Sequence, residues 1–405
     1  MRNQYQKTIY ACFVAYIVQA IVNNFLPLLF LTFQDSYGIP LSQITMLVTI
    51  NFGLQLLVDL VSVSFVDRIG YRASMILAHA LSAAGLALLA VLPECMPSPF
   101  FGILLAVGVY AVGGGLLEVL VSPVVEACPS DHKEQAMSLL HSFYCWGHVG
   151  VVLVSTAFFT LFGVEHWRIL ALAWALIPLG NMAAFTRVPI APLIEEGQRD
   201  MTMGELFRQN VFWVFLLMML CAGASEQGVS QWASTFAEKG LGVSKAVGDL
   251  TGPMAFAVLM GTSRAVYGKY GEKLDLDRFM VGSALLCAAA YLCIALVSSP
   301  VVGLLGCAVC GLSVGIMWPG TFSKASAGLP QGGTAMFAMM ALAGDLGCSG
   351  GPTLVGMVSS ALGDDLKRGI LAGIIFPILL LTALRFLKKR QVYRENKTQD
   401  PSSDV

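Results

Sequence analysis

Twelve apolar runs of bilayer length, parted by short polar breaks, decide what this chain can become. Divided at charges, prolines and turn residues, they cover 8–33, 41–66, 73–92, 99–125, 136–162 and 167–187, then 209–236, 246–267, 279–298, 301–323, 334–362 and 369–387. A helix needs ~20 mainly apolar residues to cross the hydrocarbon core. It also closes its own backbone hydrogen bonds, which lipid cannot do for it. Composition agrees: the 405 residues are 56% hydrophobic and 12% charged, with mean hydropathy +0.73, against roughly 25% charged in a soluble domain. The expectation is an all-α integral membrane protein with twelve transmembrane helices.

The most polar break, 188–207, carries Glu195, Glu196, Arg199, Asp200 and Glu205 and divides the runs into two sets of six. This gives an N-terminal six-helix bundle (1–187), a cytoplasmic linker (188–207), a C-terminal six-helix bundle (208–390) and a polar, disordered cytoplasmic tail (391–405). With both termini inside, cytoplasmic segments hold all of the 24 Lys and Arg except Arg168, Lys239, Lys245, Lys367 and Arg368, as the positive-inside bias requires. The first run is too long for a cleavable signal and has no small-residue cleavage site after it. The ten cysteines lie mostly inside apolar runs. Even the Cys307–Cys310 pair has no second pair or nearby histidines, so packing fits better than metal or redox chemistry. No cofactor or metal is expected.

Acids inside such runs mark cavities, partners or proton pathways. Glu118 follows three consecutive glycines, 113–115, and shares an i, i+4 ridge with Tyr110, Gly114 and Ser122. It is either a carboxyl that takes and releases a proton near neutral pH or a hydrogen-bonded structural acid. Asn51, Gln55 and Asp59 form a second ridge, and Tyr16, Gln19 and Asn23 a third. Asp59 is either a titrating site or part of a cytoplasmic charge cluster. His141, Tyr144 and His148 share a face, but two turns separate the histidines, so hydrogen bonding suits them better than joint chelation. The seventh run has Ser225, Glu226, Gln227, Ser230, Gln231 and Trp232, and the tenth has Trp318. Amides bind hydroxyls in both directions, and rings stack on sugar C–H faces. Asp345 in the eleventh run is a further cavity candidate. Arg264 and Lys324 fall near cytoplasmic ends, which favours an uncharged, polyhydroxylated solute over an anion.

The halves echo each other. Asp67–Arg72 (DRIGYR) follows the second run and SRAVYGKYGEK, 263–273, follows the eighth; the fifth and eleventh both start with Ala-Met. The loop of Asp67, Arg68, Gly70 and Arg72 resembles the signature of the major facilitator superfamily, with Val63 where the first glycine is usual. Further likeness is to its fucose permease-like sugar transporters: Asn23-Asn24, the glycines before Glu118 and Pro123, HSFYCWGHVG (141–150), GASEQGVSQW (223–232) and GLSVGIMWPGTF (311–322). The resemblance implies two six-helix repeats, a solute site between them at mid-membrane, a cytoplasmic charge gate at Asp67, Arg68, Gly70 and Arg72, and proton coupling. Proton-coupled sugar members use acids in spans one and four, whereas the first run here contains neither Asp nor Glu.

The expected function is therefore secondary transport of a small polar solute, a sugar or polyol, by alternating access with proton symport, in a plasma-membrane monomer. Proton-coupling candidates are Glu118, Asp59 and Glu226. Solute-binding candidates are Asn23, Asn24, Asn51, Gln55, Glu118, Tyr144 and His148, joined by Glu226, Gln227, Gln231, Trp232, Trp318 and Asp345. An efflux antiporter for amphipathic, drug-like compounds remains an alternative. A membrane enzyme or sensor is less favoured, because no HExxH pattern and no soluble output domain occurs.

Overall fold

The computed structural model describes residues 4–193, 200–241, 245–363 and 365–399. Among these every regular element is helical. In chain order they are α1 (Gln6–Asn24), α2 (Phe30–Tyr37), α3 (Leu41–Ile69), α4 (Tyr71–Cys95), α5 (Pro99–Ala127), α6 (Lys133–Phe162), α7 (Trp167–Phe185) and α8 (Met203–Arg208). There follow α9 (Asn210–Leu241), α10 (Lys245–Tyr270), α11 (Leu276–Leu296), α12 (Pro300–Val314), α13 (Met317–Gly328), α14 (Gly333–Ala361), α15 (Leu366–Ala372) and α16 (Ile375–Gln399). Each of the twelve expected runs is helical. Among the described residues, nine stretches are long and apolar enough to cross a membrane by length and composition. The linker contains the short helix α8, opened by a capping box of Thr202 and Glu205. The last helix continues to Gln399, into the expected tail.

Three expected runs are interrupted, and one rule explains all three. A proline lacks the N–H that would bond the carbonyl four residues earlier. Pro27 thus frees the carbonyl of Asn23, and the helix ends at Asn24 in a 3-10 turn, Leu26–Leu29. Pro319 frees Gly315, where α12 gives way to α13. Pro377 frees Gly373, where α15 gives way to α16. Pro123 and Pro352, by contrast, sit inside continuous helices.

The chain divides into two compact units. One comprises Met1–Met201 with Gln331–Leu342, the other Thr202–Pro330 with Ala343–Val405. In the first, α5 packs against α1, α3 and α4, and its glycine run makes this possible. A Cβ added at Gly113 would stand 2.5 Å from Ser82 Oγ of α4. One at Gly114 would meet Val22 of α1 at 3.1 Å, and one at Gly115 the Cα of Gln55 in α3 at 3.1 Å. Three successive residues thus admit three neighbouring helices one turn before Glu118. A buried polar pin joins three helices of the unit. His79 Nδ1 donates to Met75 O at 2.7 Å, which leaves Nε2 to accept from Asn181 Nδ2 at 2.7 Å. The same amide donates to Ala11 O at 2.9 Å, tying α4 and α7 to α1.

In the second unit α9 packs against α10, α12, α13 and α16. Small residues again set the distances: a Cβ at Gly351 would meet Ala224 O at 2.5 Å, and one at Gly311 the backbone of Phe256 within 2.9 Å.

Gly113→Ala should lower the thermal stability of the detergent-solubilised protein, by about 1–3 kcal/mol, because α4 and α5 must separate to admit the methyl group. Gly180→Ala, where nothing lies within 4 Å, should raise it by about 0.5–1 kcal/mol, by relieving helix-interior glycine entropy. Thermal unfolding monitored by a thiol-reactive dye tests the opposite signs.

Candidate functional site

Glu118 of α5 is half-buried, and Gln19 Nε2 of α1 donates to its Oε2 at 2.9 Å. One turn further along α1, Asn23 Oδ1 accepts from Gln55 Nε2 at 2.8 Å and, more weakly, from Asn51 Nδ2 at 3.4 Å, both on α3. Gln55 and Asn51 are buried, at 1% and 5% exposure. Gly114 brings α5 against Gln55, whose amide carbon and nitrogen lie 3.8 and 3.7 Å from the position a Cβ would take. Four carboxamides from two helices are thus gathered beside one carboxyl group, a lining that can both donate to and accept from hydroxyls.

Several expected members sit apart. Asn24 Nδ2 donates to Ala20 O of its own helix at 2.9 Å. Asp59 is fully buried one turn past Gln55 on α3, and Ser62 Oγ donates to its carbonyl at 2.8 Å. Tyr144 and His148 are half-buried on α6, on either side of Gly147, where that helix approaches α1. Of the signature loop, the Asp67 side chain lies outside the described residues, and Arg68 is exposed. Gly70 adopts φ 83°, which suits glycine between α3 and α4. Arg72 donates to Phe185 O at 2.7 Å and Val188 O at 2.9 Å, so its cation caps the C-terminus of α7.

In the second unit, Glu226 lies midway along α9, and Arg264 Nη2 of α10 donates to its Oε2 at 3.2 Å. Arg264 Nε donates to Gly315 O at 2.9 Å, the carbonyl that Pro319 leaves without a helical partner. This corrects the sequence reading, which put Arg264 in a cytoplasmic segment. It lies inside α10, only 3% exposed. The 263–273 stretch had been matched to a loop, whereas the helix runs on to Tyr270. Lys324 is nearer a helix end and pairs with Asp277 in the first turn of α11.

The other expected residues of this unit are more dispersed. Gln231 is exposed and donates to Gln227 Oε1 at 3.5 Å. Trp232 Nε1 donates to Pro352 O at 3.3 Å. The Trp318 ring lies against Gly344, the residue before half-buried Asp345. Tyr291 OH donates to Ser225 O at 2.9 Å, beside Glu226. Among the described residues no group of His, Cys, Asp and Glu could hold a metal ion.

The model of the Major Facilitator Superfamily matches residues 9–352, so the chain belongs to that family of transporters. It is a multi-pass membrane transporter and not an enzyme. No curated protein sequence matches it significantly. In fold it is similar to the fucose:proton symporter FucP of E. coli, with TM-score 0.79 and 17% identity over 95% of this chain and 99% of that one. It is also similar to the proton:xylose symporter XylE, with TM-score 0.81 and 13% identity over 96% of each chain. The human organic anion transporter MFSD10 gives TM-score 0.72 and 16% identity over 94% of this chain and 99% of that one.

The Arg264–Glu226 pair predicts a non-additive double-mutant cycle. Arg264→Met or Glu226→Gln alone should destabilise the protein, the former by about 3–5 kcal/mol because it strands a buried carboxylate. The double variant should unfold closer to the native protein than Arg264→Met does. Additive losses in the thermal unfolding midpoint would contradict mutual compensation.

Proposed function

We propose that the protein carries a small, polyhydroxylated, neutral solute, a sugar or polyol, across the plasma membrane by alternating access together with a proton, and that Glu118 carries that proton. The single observation behind this reading is the contact of Glu118 with Gln19. Gln19 sets a neutral amide against the carboxyl group of Glu118, midway along an apolar helix. The amide donates to the carboxylate and, turned over, accepts from the carboxylic acid, so the contact persists in both protonation states. The adjoining Asn23, Asn51 and Gln55 amides suit a hydroxylated solute. The fold shared with fucose:proton and xylose:proton symporters supports the same direction. The proposal includes twelve spans in two six-helix bundles (1–187 and 208–390), cytoplasmic termini and a monomer that needs no cofactor.

Arg264 favours a second reading, in which the solute bears an acidic group. A guanidinium inside the second unit removes the argument against anions, and the fold is shared with an organic anion transporter.

Uptake into proteoliposomes, screened over neutral sugars, polyols and their corresponding acids with and without an inward acid gradient, separates these. The expected result is saturable, gradient-stimulated uptake of a neutral member, lost as gradient sensitivity in Glu118→Gln. Uptake of a neutral member that ignores the gradient in the native protein would sink proton coupling. Uptake confined to the acids would select the second reading.

A further inference from the structure

A chain of proton-carrying groups leads away from Glu118. Tyr16 OH of α1 lies 2.9 Å from Ser122 Oγ of α5 and 3.4 Å from His141 Nε2 of α6. Ser122 Oγ and His141 Nε2 are 3.3 Å apart. The three groups close a triangle contributed by three helices. All are buried: Tyr16 is 3% exposed, Ser122 0% and His141 6%. The two hydroxyls each donate and accept, and His141 Nε2 accepts when bare and donates once protonated, so protons can pass within the triangle without moving a heavy atom.

The triangle is displaced from the Gln19–Glu118 contact in one direction along both helices that make that contact. Tyr16 precedes Gln19 by three residues on α1, and Ser122 follows Glu118 by four on α5. Each step is about one turn, or about 4.5–6 Å. The α5 ridge then continues by one more turn to Glu126, which is 8% exposed. Lys133 Nζ, at the start of α6, lies 3.6 Å from Glu126 Oε1, and the Lys133 side chain is 46% exposed. Glu118, Ser122 and Glu126 therefore form successive rungs from the carboxamide cluster to solvent, with His141 and Tyr16 beside the middle rung. Titratable groups at this end of α1 and α5 also include the buried thiols of Cys12 and Cys128.

We propose that Ser122, Tyr16 and His141, followed by Glu126, are the path by which protons pass between Glu118 and the Lys133 end of α6. The inference rests on the reading of Glu118 as the proton carrier. A rotamer change of the Glu118 side chain spans the turn to the triangle. Each hydroxyl takes a proton on a lone pair as it releases its own, so it is unchanged after each passage. The imidazole holds the proton as imidazolium between transfers, and Glu126 passes it to water beside Lys133. A purely structural triangle would hold three helices together and leave the rate of proton movement unaffected.

The test needs no transported solute, because protons are the probe. In reconstituted membranes, infrared difference spectra after a pH step follow the carbonyl band of protonated Glu118, identified by its loss in Glu118→Gln. Tyr16→Phe keeps the ring against His141 and removes only the hydroxyl; His141→Gln and Glu126→Gln keep hydrogen-bonding capacity while removing the titrating group. Each variant that retains native thermal stability should protonate Glu118 at least about tenfold more slowly. The amplitude at completion should stay unchanged.

Native rates in stable Tyr16→Phe and Glu126→Gln proteins would overturn the path and leave the proposed function standing. A Glu118 band that never responds between about pH 4 and pH 10 would overturn both.

Discussion

The half-buried carboxyl group of Glu118, midway along an apolar helix, is met by an amide. Gln19 supplies a hydrogen bond to Glu118 but no charge. A neutral amide can hydrogen-bond either the carboxylate or the carboxylic acid, so this contact by itself favours neither. Much of the unit serves this contact. The glycine run 113–115 admits α1, α3 and α4 close to α5 one turn earlier. Asn23, half-buried in the last turn of α1, accepts from the amides of Gln55 and Asn51. The second unit answers its acid differently. Glu226 meets a permanent cation, Arg264, which also satisfies the carbonyl that Pro319 orphans. One unit thus sets an acid against an amide, and the other holds an ion pair whose rupture strands a charge.

The helices were legible because bilayer length and apolar composition leave few alternatives, and every expected run proved helical. Their interruptions follow from proline: Pro27, Pro319 and Pro377 each release the carbonyl four residues back, and the chain breaks there. Pro123 carries the same signal inside an unbroken helix, so proline alone does not decide the outcome.

The candidate site was legible as ridges and not as contacts. Periodicity put Gln19 with Asn23, Asn51 with Gln55, and Glu118 with Ser122, each on one helix face. Which face meets which depends on packing set by small residues such as Gly114 and Gly115, and that lies beyond single-helix periodicity. Asn24, adjacent to Asn23, turned to its own backbone instead. Arg264 was misplaced because its neighbourhood was matched to a loop by analogy with Asp67–Arg72, while its partner Glu226 lies 38 residues away in sequence.

The central claim is that a neutral solute moves with a proton carried by Glu118, so transport must move net charge. Recording currents from proteoliposomes on a solid-supported membrane tests this most directly. Adding a transported neutral sugar or polyol at equal pH on both sides should drive positive charge into the vesicles in the native protein, and none in Glu118→Gln. Saturable uptake of that solute by the native protein with no accompanying current would contradict the account.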